Sequence, residues 1–283
     1  MSRLAVFIFA CLVANCLLAQ KVVFVSVPPQ MEAVQKIAGS DFQLEVLVPP
    51  GMNPENYSLN AKLISSLARA DAVFLIGVAF EQVLRSRLEG TLAKGVLIDT
   101  HMGMTLRQIE GHFHAGHSER GFDPHVWLNP DNMIIHAKHI GRALSKLNPE
   151  KQEIYQRRCQ EYCQELQDLK QQIEQLLKNF SGRQVLVVHP AFGYLLDLYE
   201  IGQLALEHEG KEPGARRLSQ LLRSAKSQNQ KVIFTQPQFS EKSARVLMQS
   251  LGGKVVSLDP LPEHYLHGML ELAQVLSQNL EQP

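Results

Sequence analysis

Three features of the 283-residue sequence predict an α/β fold with two βα lobes, each built around a mainly parallel sheet. Short β-branched or aliphatic runs alternate with amphipathic helical segments, the pattern of parallel strands joined by helical crossovers. That pattern starts a second time after residue 180. Between the two halves, the stretch from about Pro149 to Lys178 contains no Gly and no internal Pro, and a helix of roughly 30 residues is a rod of about 45 Å, long enough to span two lobes.

The chain opens with MSRLAVFIFACLVANCLLAQK, in which Arg3 precedes an apolar run from Leu4 to Ala19. A run of about 16 residues ending on a small side chain is short for a membrane span and matches an export signal. Residues 1–19 are therefore expected to be cleaved after Ala19, placing the protein in the periplasm or at the cell surface. LVANC is a loose lipobox and sets the alternative, a lipid anchor on Cys16. Asn15 fits poorly before that cysteine, so soluble export is preferred.

Residues 20–148 are read as the first lobe. Its strands are KVVFVSV (21–27), QLEVLV (43–48), DAVFLIG (71–77) and GVLIDT (95–100). MEAVQKIAG and SLNAKLISSLARA are helices, the second capped by Ser58, and Asn129-Pro130 has the form of a helix start. Residues 149–179 form the linking helix. Tyr155, Cys159, Tyr162, Leu166, Leu169, Ile173 and Leu176 follow the spacing of one buried stripe. A coiled coil competes with packing along both lobes for that stripe. Residues 180–283 are the second lobe, with strands QVLVVHP (184–190), KVIFTQP (231–237) and GKVVSLDP (253–260). No internal repeat is visible.

Lys+Arg and Asp+Glu both number 28, so the formal charge is zero, and the chain lacks the electrostatic footprint of a nucleic-acid partner. Removal of the signal takes away Cys11 and leaves Cys159 and Cys163, with Cys16 only if it is the anchor. This is no disulfide-built scaffold. The pair sits on the apolar stripe, where cysteine behaves as a small hydrophobe, and packing is preferred over metal binding or redox sensing.

No GxxxxGK[ST] loop, GxGxxG turn or GxSxG elbow is present, which removes the usual sequence support for nucleotide handling and α/β-hydrolase chemistry. HEGKE (208–212) resembles the zinc hydrolase HExxH superficially. It has glutamate for the second histidine, an internal Gly210, and Pro213 directly after it. Metal ligands are better sought where strands end, because open α/β sheets place ligand sites at their carboxyl ends. His189 and Asp259 each end an apolar strand and precede a proline. Taken singly, His189 reads as a satisfied buried histidine, and Asp259 as the start of a turn. Glu55 follows strand QLEVLV in the loop PPGMNPENY, and His125 precedes the only tryptophan in DPHVWLNP.

PPGMNPENYSLN, ARADAVFLIGVAFEQVL, DPHVWLNPDN, VLVVHPAFGYLLDLYEI, EGKEPGARRLSQLL and SLDPL, in this order and spacing, resemble the zinc/manganese substrate-binding proteins of bacterial ABC importers. The resemblance covers the chain from about residue 21. It implies two lobes joined by one rigid backbone helix, with a metal in the inter-lobe cleft held by Glu55, His125, His189 and Asp259. It also implies a permease and its ATPase as partners, a monomer, and no chemical turnover.

Zinc-type members carry His at the position of His189 and manganese-type members Glu, so Zn2+ is expected over Mn2+, and imidazole ligands suit zinc. The family usually has Pro-His where this chain has Pro54-Glu55. Glutamate can still close a tetrahedral zinc site. If it points away, water or Glu209 could take the place. His112, His114 and His117 fall where zinc-type relatives carry a His-rich insertion, and they read either as an auxiliary chelating loop or as a polar surface loop. The rival functions are a manganese or iron importer component, a zinc-dependent hydrolase and a surface adhesin.

Overall fold

The computed structural model describes residues 20–88, 96–108, 121–207 and 214–281. Residues 1–19, read above as an export signal, the 112–117 histidines and HEGKE with Glu209 lie outside the described residues. In chain order the first lobe contains β1 (Val22–Val25), α1 (Met31–Ala38), β2 (Gln43–Val46), α2 (Ala61–Leu67), β3 (Ala72–Leu75), α3 (Phe80–Leu88), β4 (Leu97–Asp99) and α4 (Pro130–Leu147). After the long α5 (Gln152–Leu177) come β5 (Gln184–Val187), α6 (Gly193–Leu196), β6 (Gly202–Ala205), α7 (Ala215–Ser227), β7 (Val232–Thr235), α8 (Lys242–Leu251), β8 (Lys254–Ser257) and α9 (Tyr265–Leu280).

Among the described residues every strand pairing is parallel, with orders β2-β1-β3-β4 and β6-β5-β7-β8. The two lobes thus share one winding, a repeat of topology that the sequence does not display. The central strands read as apolar runs because both of their faces are covered, and β3 and β7 are buried at every residue. The strand β6, GQLA, was not among the sequence-predicted strands. It has no β-branched residue and is half-buried along its length, as an edge strand can be. The crossover leading to it holds only the four-residue α6 and a 3-10 turn, too short to show a helical period.

Asn60, not Ser58, caps α2: its side-chain oxygen accepts from Leu63 N at 2.9 Å. Asn129 and Pro130 start α4 as expected, with Asn129 Oδ1 accepting from Asp131 N at 2.8 Å.

The helix α5 has 26 residues, a rod of about 39 Å, and short 3-10 turns precede and follow it. Its stripe is buried as predicted, except that Leu177 rather than Leu176 forms the buried end. The stripe is covered within the chain by α4, α1 and α9, not by a coiled-coil partner. Cys159 and Cys163 are buried free thiols whose Sγ atoms face the Ala137 and Ile134 carbonyls of α4.

One apolar core runs from the first sheet through α4, α5 and α9 to the second lobe, and a smaller one joins β5 and β7 to α7 and α8. Polar pins reinforce the junction. Trp127 Nε1 donates to Pro260 O at 2.6 Å, and the Tyr265 hydroxyl donates to Trp127 O at 2.7 Å. Glu32 of α1 accepts from Leu266 N in the first turn of α9, where a carboxylate meets the positive helix end. The lobes therefore pack as one body rather than as two domains on a free hinge.

Candidate metal centre

The carboxyl ends of the strands face the junction, and the loops leaving them carry the candidate ligands. Local turns aim two of these side chains. In Asn53-Pro54-Glu55 the Asn53 Oδ1 accepts from Glu55 N at 2.8 Å, and in Asp123-Pro124-His125 the Asp123 Oδ1 accepts from His125 N at 3.0 Å. Such Asx turns, stiffened by proline at the second position, fix the backbone of the residue that follows. His189 follows β5, and the Gln236 side chain holds its backbone from both sides: His189 N donates to Oε1 at 3.3 Å, and Nε2 donates to His189 O at 2.7 Å.

Glu55, His125 and His189 converge, with one ligand atom of each within 4.8 Å of the others. Glu55 Oε1 lies 3.5 Å from His189 Nε2 and 3.8 Å from His125 Nε2. A tetrahedral zinc ion with bonds near 2.0–2.1 Å separates its ligand atoms by about 3.3 Å, so these two contacts need to close by only a few tenths of an ångström.

Both histidines are 5 % exposed. His125 Nδ1 lies 2.8 Å from Asp123 Oδ1 and His189 Nδ1 lies 2.9 Å from Glu207 Oε2. A carboxylate accepts, so each Nδ1 carries a proton and each Nε2 is the nitrogen turned to the shared space, where a metal would take the place of any proton it carries. This is the carboxylate–histidine arrangement that fixes tautomer and ring orientation in metal sites. Among the described residues, His189 Nε2 is buried without a hydrogen-bond partner, as a waiting ligand atom would be. Phe239 stacks on the His189 ring at 4.5 Å, and Trp127 meets the His125 ring edge-on at 5.4 Å.

Burial alone would lower the pKa of His189, but its contacts with Glu207 and Glu55 raise it to about 9. Burial would likewise raise that of Glu55, yet the two histidines hold its carboxyl below the ordinary value. Without an ion, the site is therefore built around a proton on His189 and a negative charge on Glu55.

Asp259 is not in this cluster. It is exposed, and its Oδ1 accepts from Leu261 N and from Gln238 Nε2, both at 3.0 Å. The turn-forming role that its position before Pro260 implies is the one it plays here. Gln238, which donates to it, is the chain neighbour of Phe239, the ring stacked on His189, and neither of these two bonds uses Asp259 Oδ2. The sequence reading did not single out Asp123, Glu207, Gln236 or Phe239. The Asp-Pro-His triplet was the available signal for Asp123. Glu207 is visible only once β6 is placed beside β5.

Fold and site together define a two-lobed α/β protein with a centre of two buried histidines and one exposed glutamate, of a size and donor set suited to one divalent cation. The chain belongs to the family described as zinc-uptake complex component A, periplasmic, whose model matches residues 23–280. The zinc-binding protein AdcA of Streptococcus pyogenes serotype M3 (strain ATCC BAA-595 / MGAS315) is 28% identical over 274 residues, covering 89% of this chain and 53% of AdcA. The chain thus spans about half the length of that relative. Among solved structures, ZnuA superposes with a TM-score of 0.84 at 32% identity, covering 92% of this chain and 99% of that one. The Pseudomonas aeruginosa protein FpvC, solved with Mn2+, shares the fold with a TM-score of 0.79 at 23% identity, covering 93% and 99%.

Proposed function

We propose that this protein is the extracytoplasmic zinc-binding component of an ABC metal importer, capturing Zn2+ between its lobes and handing it to a membrane permease driven by a cytoplasmic ATPase. The convergence of Glu55, His125 and His189, with both imidazoles locked to present Nε2, carries the reading. Asp259 supplies the fourth ligand by turning its carboxylate inward. Four protein ligands leave no open position for an activated water, so the site binds and releases without turnover, unlike a zinc hydrolase. Because the lobes share a core, release proceeds by local loop movement and not by wide hinge opening. Residues 112–117 serve at most as an auxiliary chelating loop, and their deletion leaves the primary site intact.

A manganese or iron importer component is the second reading. Glu55 favours it, since an oxygen donor replaces the family's usual imidazole and hardens the ligand set. Metal analysis of the purified protein after exposure to equal zinc, manganese and ferrous iron separates the two. One zinc per chain is expected, with weakened retention in Glu55→Ala and Asp259→Ala. Preferential retention of manganese or iron would overturn the choice of zinc, and undiminished affinity in either variant would remove that residue from the ligand set.

A further inference from the structure

We propose that Arg107 is a positioning residue for the metal centre, strapping the carboxylate that orients His125 to the C-terminal lobe so that the hold on the ion depends on how the two lobes sit. The proposal rests on the metal-binding reading above. Arg107 Nη1 lies 3.4 Å from Asp123 Oδ2, while Nε lies 2.7 Å from Asp197 Oδ2, just after α6. The Arg107 and Asp123 side chains are 13% and 4% exposed, so solvent screens their interaction weakly.

Two further residues of α6 close the grip. The Tyr194 hydroxyl donates to Asp123 O at 3.0 Å and accepts from Arg107 N at 2.8 Å. Gly193 lies under the guanidinium: a Cβ there would fall 2.5 Å from Arg107 Cζ, so only glycine admits this approach. Asp123 Oδ1 in turn holds both the backbone N and the Nδ1 of His125.

The resulting series is Asp197, Arg107, Asp123, His125. It begins on a half-exposed residue of the second lobe, Asp197, ion-paired with Arg107, and ends on a candidate ligand of the first lobe. Displacing α6 relative to the first lobe draws the guanidinium away from Asp123. The carboxylate then keeps only its Oδ1 contacts with His125 N and Nδ1, so the group that orients the imidazole is held less firmly. The strap thereby converts a small movement between lobes into a weaker grip on the cation, which a docked permease can exploit without opening the shared core. Gln108, next to Arg107, bridges to Phe122, so the same strap anchors the chain on both sides of residues 109–120.

Asp197→Asn tests this with little change of shape. Zinc-loaded protein is mixed with excess chelator in a stopped-flow instrument and metal release is followed. The dissociation rate is expected to rise about fivefold, in the range that coupled networks transmit. Gly193→Ala, which displaces the guanidinium, should raise it similarly. In an Asp123→Asn background the Asp197 substitution should add nothing, because the connection is already cut. An unchanged rate in Asp197→Asn, with wild type binding zinc normally, overturns the strap, as does a full additive effect in the Asp123→Asn background. Failure of the wild type to bind zinc overturns the metal reading itself and the strap with it.

Discussion

His189 and Glu207 form a buried pair across the loops that follow neighbouring strands, with Nδ1 2.9 Å from Oε2. The pair leaves the opposite nitrogen, Nε2, as the only face the imidazole can offer an ion. Removal of such an outer carboxylate typically costs about 10–100-fold in metal affinity. Glu207→Ala should lose zinc affinity by that factor. Glu207→Gln, which keeps an acceptor for Nδ1–H, should lose less. Competition against a chromogenic chelator measures both, and wild-type affinity in the alanine variant would show that Glu207 does not orient the ligand.

The same pair sets the pH dependence. With its pKa raised to about 9, His189 is protonated at neutral pH in the metal-free protein, and an incoming cation must displace that proton. Affinity should therefore rise by about tenfold per pH unit from neutrality and level off near pH 9, the slope of a one-proton exchange. Calorimetry at pH 7 in two buffers of different ionisation enthalpy should register about one proton released per zinc. Zero protons, or affinity that is flat between pH 7 and 9, would contradict the assignment. This window lies higher than an unperturbed histidine would set it, because Glu55 and Glu207 both favour the imidazolium.

Trp127, the only tryptophan, packs edge-on against His125 and is fully buried. Its Nε1 is bonded to Pro260 O, one residue from Asp259. Zinc binding at His125 and inward rotation of Asp259 both alter its surroundings, so its emission should change saturably with one equivalent of zinc. His125→Ala should abolish the change at that stoichiometry. A wild-type signal surviving in this variant would place the ion elsewhere.

How far the sequence carried these conclusions differs from residue to residue. The α5 stripe, the central strands and the start of α4 are set by local periodicity and capping, and they were legible. Edge strand β6 was not, since half-burial imposes no run of β-branched residues and the crossover before it is too brief for a helical pattern. Asn60 displaced Ser58 as a cap because both have the needed oxygen, and only the backbone path decides between them. Glu55, His125 and His189 follow the logic of strand ends and Asx-Pro turns. Asp259 obeys the same turn logic with its own side chain, which is why its carboxylate faces Leu261 N instead of the cluster. The orienting acids Asp123 and Glu207 depend on tertiary contacts that no single segment encodes.

His136, fully buried in α4, gives the protein an acid-labile point apart from the metal centre. The Thr100 hydroxyl donates to Leu75 O at 2.5 Å and so must accept from His136 Nδ1–H, 2.7 Å away. Among the described residues His136 Nε2 is buried with no partner, and protonating it would bury an unpaired N–H together with a charge. Burial accordingly pushes its pKa down from 6.5 to about 3, with His139 adding a smaller push in the same direction. A histidine with a depressed folded-state pKa stabilises the fold fully above its unfolded value of about 6.5. That contribution is lost as the pH falls towards 3, at about 1.4 kcal/mol per pH unit. Urea unfolding from pH 7 to pH 4 should thus show stability declining with a slope that includes this one proton. His136→Gln, whose amide can still donate to Thr100, should flatten the decline by that amount while lowering stability at pH 7 through imperfect packing. An identical slope in variant and wild type would mean that His136 is not the group being protonated on unfolding.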